Sequence, residues 1–160
     1  MNPADTSIAS CPACVAGAEW LESHEPGAVV PATIHRHASQ DGWFRLYTPS
    51  AWASSDERAA ITGKYLFFSP DRAALIGLAG AELAQHGFPA AKVPYQRAGS
   101  AYVLCLYAPD ASRKRELAAR LGGYQITWPG ADLQYRYWKS NDATQAGLYS
   151  EQFRRARHHR

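Results

Sequence analysis

The chain has 160 residues, of which 46% are apolar and 19% charged, and its formal net charge is +3. This composition is too apolar for an intrinsically disordered chain and is sufficient for the core of one domain. The last eight residues contain four arginines, and removing them takes the net charge from +3 to −1. A near-neutral body lacks the broad basic face typical of nucleic-acid binding, so nucleic acid is not an expected partner.

The sequence carries no sign of export or membrane insertion. The N-terminal stretch MNPADTSIAS has neither the basic nor the apolar segment of a secretory signal, and no apolar run approaches the roughly 18 residues of a membrane helix. Three cysteines, an odd number, argue against a disulfide framework. We therefore predict a cytoplasmic protein with no membrane partner, although the address of a dedicated bacterial export system would escape these criteria.

The chain divides into three predicted parts. Residues 1–30, rich in Ala, Ser, Gly and Pro, are predicted to form a loosely structured N-terminal arm with a short helix at 15–23. Residues 31–152 are predicted to form the folded domain, and residues 153–160 a basic tail of the kind that is usually solvated. The domain begins with strand signals at 33–37 and 42–49, with Asp41-Gly42 between them as a hairpin turn.

The segment from residue 64 to residue 93 contains the clearest strand and helix signals. Aromatic enrichment predicts a strand at 64–68, and Ser69 followed by Pro70 predicts the start of a helix. Apolar residues at helical spacing continue that helix until Gly87 and Pro89 end it. The stretch AAKV then begins another extended segment.

The same order then repeats without sequence identity. SAYVLCLYAP reads as a strand, Asp110 as the cap of a helix that buries Leu117 and Leu121, and the glycines at 122–123 as its end. YQIT and LQYRYWK read as further strands, and Asn141 and Asp142 as cap candidates of a short turn. This order predicts an α+β fold: a single domain with a largely antiparallel sheet and two main helices packed on one face.

Cationic residues at strand positions indicate an anion site. Burying a cation is costly unless an anion meets it, and Arg and Lys side chains match phosphate oxygens. Taken one at a time, each cation could instead extend from a strand edge into water. As a set, the four cations Lys64, Lys92, Arg97 and Arg136 would suit a phosphate group, and the family resemblance described next adds Tyr107 to this predicted pocket.

An ordered series of motifs carries a family resemblance over residues 62–150. GKYLFF, AKVPYQRAGSAYVLCLYAPD and YRYWKS, with helices between them, resemble the phosphothreonine lyases that some pathogens inject into host cells, and more distantly the lyase domains of lanthipeptide synthetases. The likeness is closer to an uncharacterised family related to a basophilic-leukaemia-expressed protein, whose domain is described as similar to the cap-binding initiation-factor fold. Residues 1–60 are not covered.

The resemblance implies roles for individual residues. Lys92 matches the lysine that removes the α-proton, Arg97 and Tyr107 match an arginine and a tyrosine around the phosphate and the base, and Lys64 matches a phosphate-side lysine. Arg136 or Lys139 matches the last phosphate-binding cation. The implied partner is a phosphorylated peptide or protein, or alternatively a small phosphorylated ligand, and an active chain would be a carbon–oxygen lyase that needs no cofactor.

The sequence departs from the lyase pattern at the general acid. The lyases have a histidine two residues after the first lysine, and Leu66 stands there in this chain. A missing general acid typically costs about 10²–10⁴-fold in rate. His35, His37 and His86 are candidate replacements, although the sequence gives no reason to treat them as other than ordinary surface histidines.

Two further constellations are weaker. The pair Cys11 and Cys14 is half a zinc site that His35 and His37 could complete, but HxH is not a standard finger spacing. We therefore predict an inert arm with no metal and no cofactor, and a core role for Cys105. The aromatic residues that could sandwich a base, or simply pack, are Trp43, Trp128 and Trp138.

Three functions remain open at this point. The chain is a phosphopeptide lyase with an altered acid, a non-catalytic binder of a phosphorylated ligand, or an interaction domain with a vestigial site. Leu66 counts against the first, and the combination of Lys92, Arg97 and Tyr107 counts against the third.

Overall fold

The computed structural model describes residue 8, residues 11–121 and the backbone of residues 138–140. Its centre is a six-stranded sheet in which every neighbouring pair is antiparallel, in the order β1-β2-β4-β5-β3-β6. Helices pack against this sheet, so the predicted α+β fold with an antiparallel sheet is confirmed. Among the described residues, no helix is long and apolar enough to cross a membrane.

Strand and helix bounds follow the sequence signals with shifts at the ends. The strands are β1 His35–Ala38, β2 Trp43–Tyr47, β3 Gly63–Ser69, β4 Ala90–Pro94, β5 Tyr102–Ala108 and β6 Trp138–Ser140. The helices are α1 Pro12–His24, α2 Pro49–Ala53, α3 Ser55–Ala59, α4 Arg72–His86 and α5 Lys114–Arg120.

The long β3–β5 pair separates an apolar face of the sheet from a polar one. Side chains alternate across a strand, so residues two apart share a face. Tyr65 and Phe67 of β3 pair with Leu106 and Leu104 of β5, and all four are buried in the core. The helix residues packed on this apolar face include Leu75, Ile76 and Leu83 of α4 and Leu117 of α5.

Helix α4 begins later than the sequence signals indicate. Its N-cap is Asp71, whose side chain accepts a hydrogen bond from the Ala74 amide, whereas the Ser69 hydroxyl accepts one from the Asp71 amide. The predicted cap at Ser69 is therefore wrong by two residues, because the β3–β5 pairing continues through Ser69. The predicted stop at Gly87 is confirmed: its φ of 73° is the left-handed conformation that glycine accepts without a Cβ clash.

Helix α5 also begins without its predicted cap. Asp110 accepts a hydrogen bond from the Ser112 amide and so shapes the preceding turn, while the N-cap position is held by Arg113 without a side-chain bond. A buried ion pair ties this helix to α4: Arg120 donates to both carboxylate oxygens of Glu82, which is 2% exposed. Such paired hydrogen bonds are needed because an isolated buried carboxylate would be costly.

The N-terminal segment is packed rather than loose from residue 11 onward. Helix α1 contributes Leu21 to the main core, and its Trp20 ring stacks on Phe44 with centroids 4.9 Å apart. Just after the helix, Glu25 forms an ion pair with Arg72 at 2.8 Å. The loosely structured arm predicted for residues 1–30 therefore differs from the structure over residues 11–30.

Gly17 allows α1 to lie directly on the backbone of β1. A Cβ added to Gly17 would stand 1.9 Å from the Arg36 carbonyl oxygen. No side chain fits in that space, so the approach of the helix to the edge strand depends on this one position.

Several predicted features lie outside the described residues. They are the glycines at 122–123, the strand at 124–127, residues 133–137, Trp128, Arg136, Asn141, Asp142 and the tail at 153–160.

The glycine contact yields a stability prediction. Gly17→Ala should lower the free energy of unfolding by about 1–3 kcal/mol, as overpacking typically does, because either α1 or β1 must move. Gly77→Ala in α4 is the matched control, because its Cβ would meet the nearest atom at 3.6 Å, an ordinary contact. The higher helix propensity of alanine should therefore raise the free energy of unfolding by roughly 0.5–1 kcal/mol. Urea denaturation of both variants measures the difference, and equal effects would contradict the close docking of α1.

Candidate functional site

The sheet face opposite α4 and α5 carries a group of polar side chains, here called the polar face. Lys64 of β3 lies opposite Tyr107 of β5, and Tyr107 lies opposite Ala90 of β4. Lys92 lies two residues after Ala90 on β4 and therefore on the same face. Its partner on the neighbouring strand β2 is Arg45. The register thus brings Lys64, Lys92 and Tyr107 onto one face and adds Arg45 to them.

Lys92 lies at the centre of this face. Its Nζ is 3.9 Å from the centroid of the Trp43 ring, which is a cation–π contact. Burial lowers the pKa of Lys92 below its ordinary value of 10.5, and the neighbouring charges of Arg45 and Lys64 lower it further. The ammonium is therefore held where its charge is disfavoured, which is the condition for a lysine that either meets an anion or acts as a base.

Tyr107 and Lys64 form a second contact on the face. The Lys64 side chain is 6% exposed, and its Nζ lies 5.7 Å from the centroid of the Tyr107 ring. Burial raises the pKa of the Tyr107 phenol far above its usual value of 10, so the hydroxyl keeps its proton near neutrality and remains a hydrogen-bond donor. Leu66, buried on the same face, cannot donate a proton.

Arg45 is a cation of this face that the sequence reasoning did not single out. It forms an ion pair with Asp41 at 2.5 Å, and Asp41 is itself half exposed. The signal was present in WFRLY: with Phe44 and Leu46 facing the core, alternation places Arg45 on the other face. The sequence does not show that β2 pairs with β4, and it is this pairing that puts Arg45 beside Lys92.

The remaining predicted site residues are not part of this group as described. Arg97 is exposed in the loop between β4 and β5. The length of β5 from Tyr102 to Tyr107, at about 3.4 Å per residue, separates that loop from Tyr107. The backbone of Lys139 pairs with Lys64 at the outer strand β6, and Arg136 lies outside the described residues.

A second cluster lies at the β1 edge of the sheet. Cys11 and Cys14 at the start of α1 meet His35 and His37 of β1, and all four side chains are buried. Cys11 Sγ is 3.4 Å from His37 Nε2, and Cys14 Sγ is 3.1 Å from His35 Nδ1. The four ligand atoms all lie within 4.8 Å of one another.

The cluster is enclosed by aromatic rings. Trp52 of α2 contacts both imidazoles, with ring centroids 4.4 Å from His37 and 5.7 Å from His35, and Tyr47 lies 5.5 Å from His37. Burial, together with the neighbouring His35, lowers the pKa of His37 to about 4, and burial with the neighbouring Cys11 raises the pKa of Cys14 to about 12. In this arrangement His37 is a neutral imidazole, the form that binds metals.

The histidines therefore have other surroundings than the sequence indicated. His35 and His37 were expected at the surface and are 1% and 7% exposed. His86 ends α4 on the opposite face, 3.7 Å from Glu82, so it is not a proton donor for the polar face. Cys105 is buried as predicted, but it lies beside Lys92 on the polar face and outside the main core.

Comparison of the chain with protein-family models, with curated proteins and with solved structures finds no match. The function must therefore be argued from the geometry of the two clusters.

The lowered pKa of Lys92 predicts a pH-dependent stability. Below the lowered pKa of Lys92, the folded protein carries a disfavoured charge. Between that pKa and the unfolded value of 10.5, the unfolded chain holds more protons than the folded one, so the free energy of unfolding rises with pH. Lys92→Met keeps a contact with Trp43 without the charge, so it should raise the urea midpoint near pH 7, by less as the pH approaches 10.5. A gap that is constant with pH would contradict a depressed Lys92 pKa.

Proposed function

We propose that the polar face binds a phosphorylated ligand, in the first place a peptide carrying phosphothreonine or phosphoserine. The observation that carries the proposal is the convergence of Lys92 with two further cations, Arg45 and Lys64, close enough to lower its pKa. The phosphate class follows from the cation set, and the peptide class from the resemblance to phosphothreonine lyases.

The energetics favour an anion at this place. Three like charges on a partly covered face repel one another, and that repulsion is stronger than in water because part of the solvent is excluded. A phosphate dianion reverses the sign of each of these interactions. Arg45 supplies a planar fork for two phosphate oxygens, and Lys92 supplies a point charge.

The existing partner of Arg45 does not prevent this role. Asp41 is a half-exposed carboxylate, and exposed ion pairs are typically worth only about 0–1 kcal/mol. A phosphate can therefore replace Asp41, or share the guanidinium with it, at small cost. Tyr107 adds a neutral hydroxyl donor that stays protonated.

Binding of a phosphothreonine peptide tests the proposal directly by calorimetry. Lys92→Ala and Arg45→Ala should each weaken the affinity about tenfold or more, since hydrogen bonds to charged groups contribute about 1.5–3 kcal/mol. Arg115→Ala, an exposed cation of α5 on the other side of the sheet, is the charge-matched control and should change little.

Arg97→Ala distinguishes the polar face from the phosphate pocket predicted from the sequence, because only the predicted pocket includes Arg97. Because Arg97 lies in the exposed loop between β4 and β5, at the end of β5 that is far from Tyr107, its removal should leave the affinity within about twofold, on the order of 0.4 kcal/mol. The unphosphorylated peptide should not bind. Affinity that is unchanged in the Lys92 and Arg45 variants would refute the polar face as the phosphate site.

A second candidate function, β-elimination, is supported by the lowered pKa of Lys92. In that reaction the neutral Lys92 amine takes the α-proton of the phosphorylated residue. The electron pair of that C–H bond forms the Cα–Cβ double bond, and the Cβ–O bond breaks to release phosphate. Leu66 leaves the departing phosphate without the acid that the resemblance implies, so cations alone would have to stabilise its charge.

Intact-mass analysis of the peptide distinguishes elimination from binding. A lyase removes one molecule of phosphoric acid from the phosphopeptide, and its rate rises with pH as Lys92 loses its proton. Lys92→Ala should abolish that loss, whereas Leu66→His should raise the rate by up to about 10²–10⁴-fold if the acid is the missing part. A peptide that binds and keeps its mass in both proteins would identify a non-catalytic binder.

A further inference from the structure

We infer that Cys11, Cys14, His35 and His37 hold a single zinc ion that fastens helix α1 to the edge strand β1. Two cysteine sulfurs and two imidazole nitrogens converge in one buried place, with their ligand atoms within 4.8 Å of one another. The inference is independent of the phosphate proposal, because it uses other residues and another chemistry.

The distances are close to those of a tetrahedral zinc site. With Zn–S of about 2.3 Å and Zn–N of about 2.0–2.1 Å, tetrahedral geometry separates ligand atoms by roughly 3.3–3.8 Å. The two recorded sulfur–nitrogen distances are 3.1 Å and 3.4 Å. An ion at the centre therefore requires shifts of a fraction of an ångström to about one ångström, and no rearrangement of the backbone.

The donor set selects the class of metal. Thiolate and imidazole ligands suit zinc, whereas calcium and magnesium require oxygen ligands. A two-iron cluster with two cysteines and two histidines keeps each pair on its own iron. Here each sulfur has an imidazole nitrogen close by, at 3.4 Å for Cys11 and 3.1 Å for Cys14, as expected for four ligands around one ion. Four protein ligands without an open position are typical of a structural site.

Local structure orients all four ligands. Cys11 is the N-cap of α1, and its Sγ accepts a hydrogen bond from the Cys14 amide at 3.3 Å. This bond fixes the position of the Cys11 sulfur at the start of the helix. His35 and His37 are two residues apart on β1, so strand alternation turns both imidazoles to the same face. The two histidines are therefore two residues apart on a strand and the two cysteines three residues apart at a helix start, which differs from the ligand spacing of zinc fingers.

The surroundings favour a structural ion over a redox dithiol. Cys11 is 6% exposed and Cys14 fully buried, whereas a reactive cysteine needs access to its partner. Trp52 and Tyr47 pack against the imidazoles, which are 1% exposed in His35 and 7% exposed in His37. The ion would join two segments that contact each other closely at Gly17, so its binding free energy becomes stability of the α1–β1 contact.

Metal analysis of the purified full chain is the first test. We expect one zinc per chain, and after exchange a cobalt form with the absorption bands of a tetrahedral thiolate site. Cys105→Ser, which changes a buried cysteine outside the cluster, should keep both signals. Chain that takes up no zinc or cobalt under reducing conditions, while folded by circular dichroism, would overturn the inference.

Ligand variants test the assignment residue by residue. Cys14→Ser and His37→Ala should each weaken zinc affinity more than about tenfold, because losses of 10–100-fold arise even from changes outside the ligand shell. His86→Ala is the matched histidine control and should have no effect. Zinc that is bound equally well by the double variant Cys11→Ser/Cys14→Ser would overturn the assignment.

A chelator experiment on the unchanged chain covers the case in which variants fail to fold. Removing zinc should lower the thermal midpoint and increase amide hydrogen exchange in α1, while α4 keeps its protection, and adding zinc should restore both. Exchange that is indifferent to zinc would overturn the fastening role. A Cys11–Cys14 disulfide in protein isolated under reducing conditions, detected by intact mass, would do the same.

Discussion

The antiparallel pairing of β3 with β5 and of β5 with β4 places both the core and the polar face. Strand alternation divides every side chain of these strands between two faces, and a shift by one residue would exchange the faces. The large apolar residues of β3 and β5, Tyr65, Phe67, Leu104 and Leu106, fix which face is buried because all four pack in the core with α4. The cations at the intervening positions then have no alternative to the opposite face.

The burial of the apolar residues thus places the cations together on the opposite face, and this grouping lowers the stability of the folded chain. Lys92 is partly withdrawn from water and lies near Arg45 and Lys64, which is unfavourable for the folded chain alone. Proteins commonly tolerate such unfavourable groupings where a ligand or a reaction uses them. We propose a ligand at the polar face for this reason.

The cluster of cysteines and histidines shows a different relation between packing and chemistry. It lies on the same side of the sheet, since His37 is the neighbour of Arg45, yet it is closed by Trp52 and Tyr47. Lys92 on the polar face is half-buried, whereas all four side chains of the cluster are buried. Strand β2 lies between β1, which carries His35 and His37, and β4, which carries Lys92, so it borders both sites.

Local sequence signals are sufficient to predict most of the strands and helices and the fold class. Turn residues, aromatic enrichment and helical spacing predicted the hairpin at Asp41-Gly42, the strand at 64–68, the helix ending at Gly87 and the antiparallel α+β arrangement. These signals act over a few residues, so they are readable without a fold. The predicted helix starts are less accurate. Ser69 is a good capping residue, but it pairs in the sheet instead, so a tertiary interaction outweighs the local preference.

The contacts between residues far apart in the chain depend on strand order and helix docking. Arg45 came beside Lys92 through the β2–β4 pairing, Arg97 was separated from Tyr107 by the length of β5, and Cys14 reached His35 because Gly17 lets α1 lie on the β1 backbone. None of these proximities follows from spacing in the chain, because strand order and helix docking are set by the burial of the whole core. A site built from several strands is therefore known only once their order and register are known.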